Sequence, residues 1–467
     1  MQRLTDLNTF LSLAPDKLVN TTLICPECEQ EHPIPFKIVQ SGEHLISAIP
    51  ELINQVLGHE PEFIGLIYDQ HLETKLGPLF FDPFHELGQP FMQIPLGAPG
   101  HLLEASVEIA DNAAEKISEN IGFLIGIGSG VISDLTKWIA TKKQLPFLLL
   151  GTALSMNAYT SITGTMTENK VKSSRWLNPA DIVILDNVLT GSAPIEMTYA
   201  GYADILARNI ANADWKLSQI LRGTYFCSVP FLMMSNIQES IIQSVYKSGL
   251  NTPETMRTLA DGVLVSGFTM TVLNGETSPS SGSEHILSHF FDFQHNIFNL
   301  PKNLHGTQVG LGTIIMSAAY HLLLEINPLS LDLEDIERRR LSKTAWTLDH
   351  QRLFGKKSKL YDQVYFNKRI DDIEFRPYIQ QIIHSWDEIL AAISPYLLPS
   401  DAIREAMVMA GAPTRIKDIN RTQDEVIEGL LYGSHYRTRY TVLDLFWELG
   451  LFPASAVEIL ERAQVLD

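Results

Sequence analysis

Four of the fourteen histidines, His285, His289, His295 and His305, fall within 21 residues, well above the density that uniform placement gives. A lone histidine is most often a core or capping residue, whereas four together point to a site. On a helix, His285 and His289 share one face, as two imidazoles must to converge on one metal ion or one substrate. Neutral imidazole is the commonest protein ligand for zinc-like ions. Asp204 is a second candidate, a single acid beside Tyr202, Ala203, Ile205 and Leu206 in YAGYADILARNI. A carboxylate among apolar neighbours is costly to bury unless it is paired or bound to a cation. An acid facing solvent from a helix surface is the alternative, and spacing alone leaves the two open.

A third candidate is GIGSGVISD (126–134), glycines and a serine between an apolar run and a helical pattern. Such a turn presents backbone amides to a pyrophosphate, although a tight strand-to-helix turn also needs glycine for steric reasons alone. Asp69 closes the preceding apolar run, where a carboxylate can accept hydrogen bonds from an adenine-ribose diol. Cys25, Cys28 and His32 resemble half of a zinc knuckle. No second CxxC follows, and a closed tetrahedral site needs four ligands, so the preferred reading is a turn with two incidental thiols.

The elements that must position these residues begin after a lead-in of about 60 residues. FIGLIYDQ (63–70), IGFLIGIGSG (121–130), PFLLLGTA (146–153) and DIVILD (181–186) read as strands, and 101–117 and 131–140 read as helices. Strands alternating with helices imply a parallel, doubly wound α/β sheet. From Ala193 onward the pattern is helical. The expected organisation is an α/β domain over 1–190 and an all-helical domain over 191–467.

The chain has 467 residues, of which 45% are hydrophobic and 19% charged, enough for two packed cores. A net charge of −19, with no long Lys/Arg cluster, argues against nucleic acid and anionic membranes as partners. Neither a leader segment nor an uninterrupted apolar run long enough to span a bilayer is read, and three cysteines give no disulfide framework. A cytoplasmic location is the expectation.

Taken together, GSGVISDLTKWIA, GTALSMNAYTS, IEMTYAGYADILARNIANADWKLS, SGSEHILSHF, LHG, AGAPTRIKDI and YRTRYTVLDLFWELGL resemble the iron-containing alcohol dehydrogenase and dehydroquinate synthase-like superfamily. Within it they are most similar to the glycerol-1-phosphate dehydrogenase family, in its bacterial AraM-type branch. The resemblance runs over most of the chain. It implies a Rossmann-like N-terminal domain, a helical C-terminal domain, NAD or NADP, and one divalent zinc, nickel or iron ion. Asp204, His285 and His305 match the metal ligands, and His289 matches a substrate-contacting histidine. Gly128, Ser129, Gly130, Val131, Ile132, Thr152, Ser155 and Ser161 match the cofactor loops, and Asp69 the ribose-binding acid. Asn157 stands where the family has an aspartate that meets substrate hydroxyls. It keeps an acceptor and loses the charge.

The implied activity interconverts dihydroxyacetone phosphate and sn-glycerol 1-phosphate, with Asp204 and His289 as the catalytic pair and the chain as a homo-oligomer. The substrate phosphate would meet Arg208, Lys216, Lys302 and His289. The alternatives are a sugar-phosphate cyclase of the dehydroquinate or deoxy-inosose synthase kind, and a non-catalytic cofactor-binding relative.

Overall fold

A computed structural model describes residues 1–466 apart from 74–76, 78–80, 83–84, 86–87, 99–100 and 169–170. The chain divides into two compact units, Met1–Ile205 with Cys227–Glu276, and Leu206–Phe226 with Thr277–Asp467.

In the first unit, β1 (Gln2–Leu4), β2 (Thr21–Ile24) and β3 (Glu31–Ile34) form a small sheet in which β1 runs parallel and β3 antiparallel to β2. The main sheet contains β4 (Ile38–Gly42), β5 (Phe63–Asp69), β6 (Phe91–Leu96), β7 (Ile121–Gly128), β8 (Phe147–Gly151) and β11 (Ile182–Asp186). Its order is β4-β11-β8-β7-β5-β6, with every pairing parallel. Runs such as FIGLIYD and IGFLIGIG lack polar alternation because a parallel sheet is covered on both faces. Ile64, Leu66, Phe123, Ile125, Ile127, Leu148, Leu150, Ile182 and Ile184 make this core with Ile49, Leu52 and Ile53 of α1 (Ile49–Leu57). Of the expected helices, α2 (Val107–Lys116) starts at its Ser106 cap and not at residue 101, and α3 (Gly130–Lys143) covers the second. An antiparallel hairpin, β9 (Thr163–Glu168) and β10 (Val171–Trp176), precedes β11. The helical stretch then opens with α4 (Ile195–Leu206) and α5 (Arg208–Arg222).

The units interleave in sequence, whereas the change of pattern near residue 190 suggests a single crossing. Two long helices, α6 (Val229–Ser248) and α7 (Pro253–Thr271), belong to the sheet-bearing unit. A helical period reports which face is apolar and not which partner covers it. Here Gly262 lets α7 approach closely, since a Cβ there would stand 2.5 Å from Ile241 and 3.0 Å from Ile205. Phe268 meets Phe36 with ring centroids 5.5 Å apart, and Thr160 donates to the Leu264 carbonyl at 2.7 Å.

The second unit is helical, with α8 (Ser283–Phe298) against α9 (His305–Leu324). By length and mean hydropathy α9 could cross a bilayer, although Gln308, Thr313, Ser317 and His321 interrupt its apolar run and 78% of its most apolar stretch is buried inside the protein. It is apolar all round because it is a core helix. Gly312 gives α8 room, for a Cβ there would lie 2.7 Å from the Glu284 carbonyl oxygen.

Candidate active site

The start of α8 is fixed by two buried carboxylates. The Gly282 amide donates to Glu284 Oε1 at 2.8 Å and the Ser283 amide to Asp214 Oδ2 at 2.6 Å. A helix N-terminus favours anions through its unpaired amides and its partial positive charge. The Tyr320 hydroxyl and the Val442 amide also donate to Asp214, each at 2.7 Å. Burial, with Glu284 beside it, pushes the Asp214 carboxyl up to about 7. Any side chain on residue 282 is excluded, because a Cβ would stand 2.6 Å from Asp214 and 2.8 Å from Glu284.

From that start α8 presents His285 and His289 one turn apart. Glu284, fully buried, accepts the Nδ1 proton of buried His285 at 2.6 Å. The lone pair therefore falls on Nε2, the form a metal-binding imidazole needs. His305 opens α9 with Nδ1 3.3 Å from Ser288 Oγ, and that hydroxyl donates to Gln308 Oε1 at 3.0 Å. With its proton committed to Gln308, Ser288 accepts from His305 and again leaves Nε2 as the donor atom. Ring centroids are 5.1 Å apart for His285 and His305, 5.4 Å for His289 and His305, and 6.3 Å for His285 and His289. His295 is not part of this group: its Nδ1 meets the Leu300 carbonyl at 2.6 Å, where α8 ends. The sequence reading did not single out Glu284 and Ser288, although both lie inside SGSEHILSHF. Asp204, in the last turn of α4, is 4% exposed among buried Tyr202, Ala203, Ile205 and Leu206, which removes the solvent-facing alternative.

In the main sheet the chain steps from β5 outward to β6 and then returns to β7 on the other side of β5, so the strand order reverses between β5 and β7. Ligands of open parallel sheets bind beyond the carboxyl ends of the strands at such a point. Asp69 ends β5 and Gly128 ends β7. One Asp69 oxygen accepts the His71 amide at 3.0 Å. Gly128 is required by the turn itself, since a Cβ there would stand 2.5 Å from Ile132 Cβ. Ser129 caps α3 and, among the described residues, makes no side-chain hydrogen bond to the first turn. Gly130, Val131 and Ile132 supply that first turn.

The loop after β8 is stitched to β7. The Thr152 amide donates to the Gly128 carbonyl at 3.1 Å, and the Tyr159 hydroxyl donates to the Ala153 carbonyl at 2.7 Å. Buried Lys137 of α3 donates to the Ala158 and Thr163 carbonyls. Burial holds Lys137 down, at about 8, and pushes its neighbour Asp134 up, to about 6. Ser155 is half-buried, and Ser161 is committed to its own turn, its hydroxyl 2.8 Å from Thr163 Oγ1. Asn157, also half-buried, precedes the turn Ala158–Thr160 without capping it through its side chain among the described residues. Of the basic residues expected near a phosphate, Arg208 is 1% exposed and Lys302 is exposed. Lys216 donates to Gln219 at 2.8 Å, with its ammonium 4.7 Å over the Phe226 ring.

A family profile described as iron-containing alcohol dehydrogenase matches residues 41–194. A glycerol-1-phosphate dehydrogenase [NAD(P)+] from Bacillus licheniformis is 24% identical over 445 residues, covering 93% of this chain and 95% of that one. The chain is thus similar to iron-containing alcohol dehydrogenases over residues 41–194 and to this glycerol-1-phosphate dehydrogenase over nearly its whole length. A relative of the same name from Thermococcus sibiricus is 32% identical over 220 residues, 47% of this chain, and the match spans only 61% of that protein's length. In fold, glycerol dehydrogenase from Schizosaccharomyces pombe superposes with a TM-score of 0.55 at 13% identity, covering 91% of each chain.

Proposed function

We propose that the chain is a metal-dependent, NAD(P)-linked dehydrogenase that interconverts dihydroxyacetone phosphate and sn-glycerol 1-phosphate. The observation that carries this reading is the group of three histidines in which Glu284 and Ser288 pin the Nδ1 atoms of His285 and His305. The name borne by a relative that aligns over nearly the whole chain supports the substrate.

Asp204, His285 and His305 are the ligand set in this reading. One carboxylate and two neutral imidazoles suit zinc, nickel or iron(II), and three protein ligands leave a position for substrate. A bound cation also accounts for the burial of Asp204. When bound, a divalent ion supplies Lewis acidity at a carbonyl oxygen and a nicotinamide supplies hydride. The chain's own residues do the rest. Gly128, Ser129, Gly130, Val131 and Ile132 receive the pyrophosphate at the start of α3. Thr152, Ser155 and Ser161 shape the neighbouring loop. Asp69 takes the ribose diol, and its charge opposes a 2′-phosphate, which favours NAD over NADP. His289 holds or moves a proton at the substrate oxygen. Asn157 meets a substrate hydroxyl, and exposed Lys302 offers charge to the phosphate. The working form is a homo-oligomer, which light scattering on the purified protein reads.

The test is NADH and NADPH oxidation by protein reconstituted in turn with zinc, nickel and iron(II), against dihydroxyacetone phosphate, dihydroxyacetone and larger keto-sugars. Turnover of dihydroxyacetone phosphate that is lost in His285→Ala and His305→Ala is expected. A sugar-phosphate cyclase would consume its substrate with no net change in nicotinamide absorbance, and that result would replace the dehydrogenase reading.

A further inference from the structure

The CPEC turn does not stand alone in the fold. Cys25 and Cys28 flank the tip of the β2–β3 hairpin, and His32 follows on β3. Cys227 comes from the point where the chain re-enters the same unit, just before α6. One ligand atom from each of these four residues lies within 4.8 Å of all the others. The fourth ligand that the sequence lacks locally is therefore supplied from 202 residues away.

The distances are those of a cage and not of a disulfide. Cys25 Sγ and Cys227 Sγ are 3.8 Å apart, and His32 Nε2 is 3.4 Å from the sulfurs of both Cys28 and Cys227. A disulfide needs about 2.05 Å between sulfurs. In a tetrahedron with Zn–S of about 2.3 Å and Zn–N of about 2.0–2.1 Å, sulfurs stand about 3.8 Å apart and sulfur and nitrogen about 3.6 Å apart. The observed separations match these edges to within a few tenths of an ångström.

The surroundings fit the same chemistry. His32 Nδ1 donates to the Val272 carbonyl at 2.8 Å, which leaves the Nε2 lone pair facing the sulfurs. The amides of Glu27 and Cys28 point at the Cys25 sulfur and the Val229 amide at the Cys227 sulfur, so both sulfurs are held in place by the backbone around them. Glu27 braces the fourth ligand from outside by accepting the Ser228 amide at 3.0 Å. Cys25, His32 and Cys227 are buried and Cys28 is half-buried, so the cage has one side open for an ion to enter.

We infer that Cys25, Cys28, His32 and Cys227 form a structural zinc site, separate from the histidine group of α8 and α9. Four protein ligands fill a tetrahedron and leave no position for substrate, so this ion does not take part in turnover. Its work is mechanical: it clamps the N-terminal hairpin to the start of α6 and closes a long loop of chain. Because ligand binding is coupled to folding, its energy appears as stability.

Zinc content by plasma mass spectrometry, on protein carrying His285→Ala and His305→Ala so that only this cage can load, should give about one equivalent per chain. Adding Cys28→Ser or Cys227→Ser should abolish that equivalent and lower Tm, while His32→Cys, which offers four sulfurs, should keep it. Cobalt exchanged into the wild-type cage should show thiolate-to-metal charge transfer that Cys227→Ser removes. If the serine variants do not fold, titrating wild-type thiols with a mercurial should release zinc to a chromogenic chelator in step with modification. Folded serine variants that keep their zinc, or thiol titration that releases none, would overturn the inference. So would a Cys25–Cys227 disulfide found by peptide mapping of protein purified without reductant.

Discussion

Glu284 Oε1 lies 2.6 Å from His285 Nδ1 and accepts the Gly282 amide at 2.8 Å, so one fully buried carboxylate both starts α8 and sets the tautomer of its first histidine. A carboxylate in this position orients a metal-binding imidazole and raises its basicity, and losing it costs about 10–100-fold in metal affinity. Glu284→Gln keeps shape and removes charge. It should weaken metal retention by about that factor in chelator competition, with the circular dichroism of wild type. Ser288→Ala, acting on His305 through a neutral hydroxyl, should have the smaller effect. Unchanged metal affinity in Glu284→Gln would reject the role given to this pair.

Gly201 of α4 and the Leu154 carbonyl are a second such pair. A Cβ at 201 would stand 1.7 Å from that backbone oxygen, which cannot rotate away. Gly201→Ala must therefore lift α4 from the loop that carries Ser155 and Asn157, at the upper end of the about 1–3 kcal/mol typical of overpacking. Gly191→Ala is the control: nothing lies within 4 Å of its Cβ, and it sits at a helix end where alanine is favoured. Urea unfolding should separate the two variants, and equal stability would show that the helix yields without cost.

These relationships mark what the sequence could and could not reveal. Four of the six parallel strands, β5, β7, β8 and β11, were legible because each is a short apolar run bounded by turn residues, whereas the edge strands β4 and β6 are more polar and escape that reading. Asp69 and Gly128 end the two strands between which the order reverses. Three of the four clustered histidines converge, since the period of a helix sets His285 against His289. The rest depends on long-range placement. Glu284 reads as an ordinary charged residue until burial gives it one partner, and Cys227 has no neighbour in sequence that hints at Cys25. Likewise the apolar faces of α6 and α7 carry no label saying that the sheet-bearing unit covers them.

A buried histidine pair in the second unit makes stability sensitive to acid. His435 Nδ1 is 3.1 Å from His350 Nε2, whose Nδ1 meets Asp362 Oδ1 at 2.6 Å. Burial, then His350 and Lys368 beside it, holds His435 well below the usual imidazole range, and burial also lowers His350 against the pull of Asp362. Above about pH 7 both the folded and the unfolded chain keep these rings neutral, so pH has no leverage through them. As pH falls below about 6.5 the unfolded chain takes up protons that the folded one refuses. Stability then drops by up to about 1.4 kcal/mol per pH unit for each ring, until the folded pKa is reached. His435→Gln should cost stability at pH 8 and yet flatten the decline between pH 6.5 and 5 by about one proton. An unaltered slope would remove His435 from the account.

The substrate turns on Asn157. The loop around it is fixed: Lys137 donates to the Ala158 carbonyl, Thr160 donates to Leu264 and accepts from Thr271, and a Cβ on Gly267 would stand 2.5 Å from the Asn157 carbonyl oxygen. A substitution at 157 that preserves shape therefore changes charge and little else. If this side chain accepts a hydrogen bond from a substrate hydroxyl, Asn157→Asp converts a neutral contact into a charge-assisted one, worth about 1.5–3 kcal/mol against about 1 for a neutral bond. The gain in kcat/KM for dihydroxyacetone phosphate should then be several-fold to tenfold or more, since each 1.4 kcal/mol or so is a factor of about ten. An added negative charge near the phosphate works the other way, so the effect should be larger for uncharged dihydroxyacetone than for its phosphate. Steady-state kinetics of both proteins on both ketones, under matched metal loading, decides. Equal kcat/KM for wild type and variant on each would place Asn157 outside the substrate's reach and leave selectivity to His289 and Lys302.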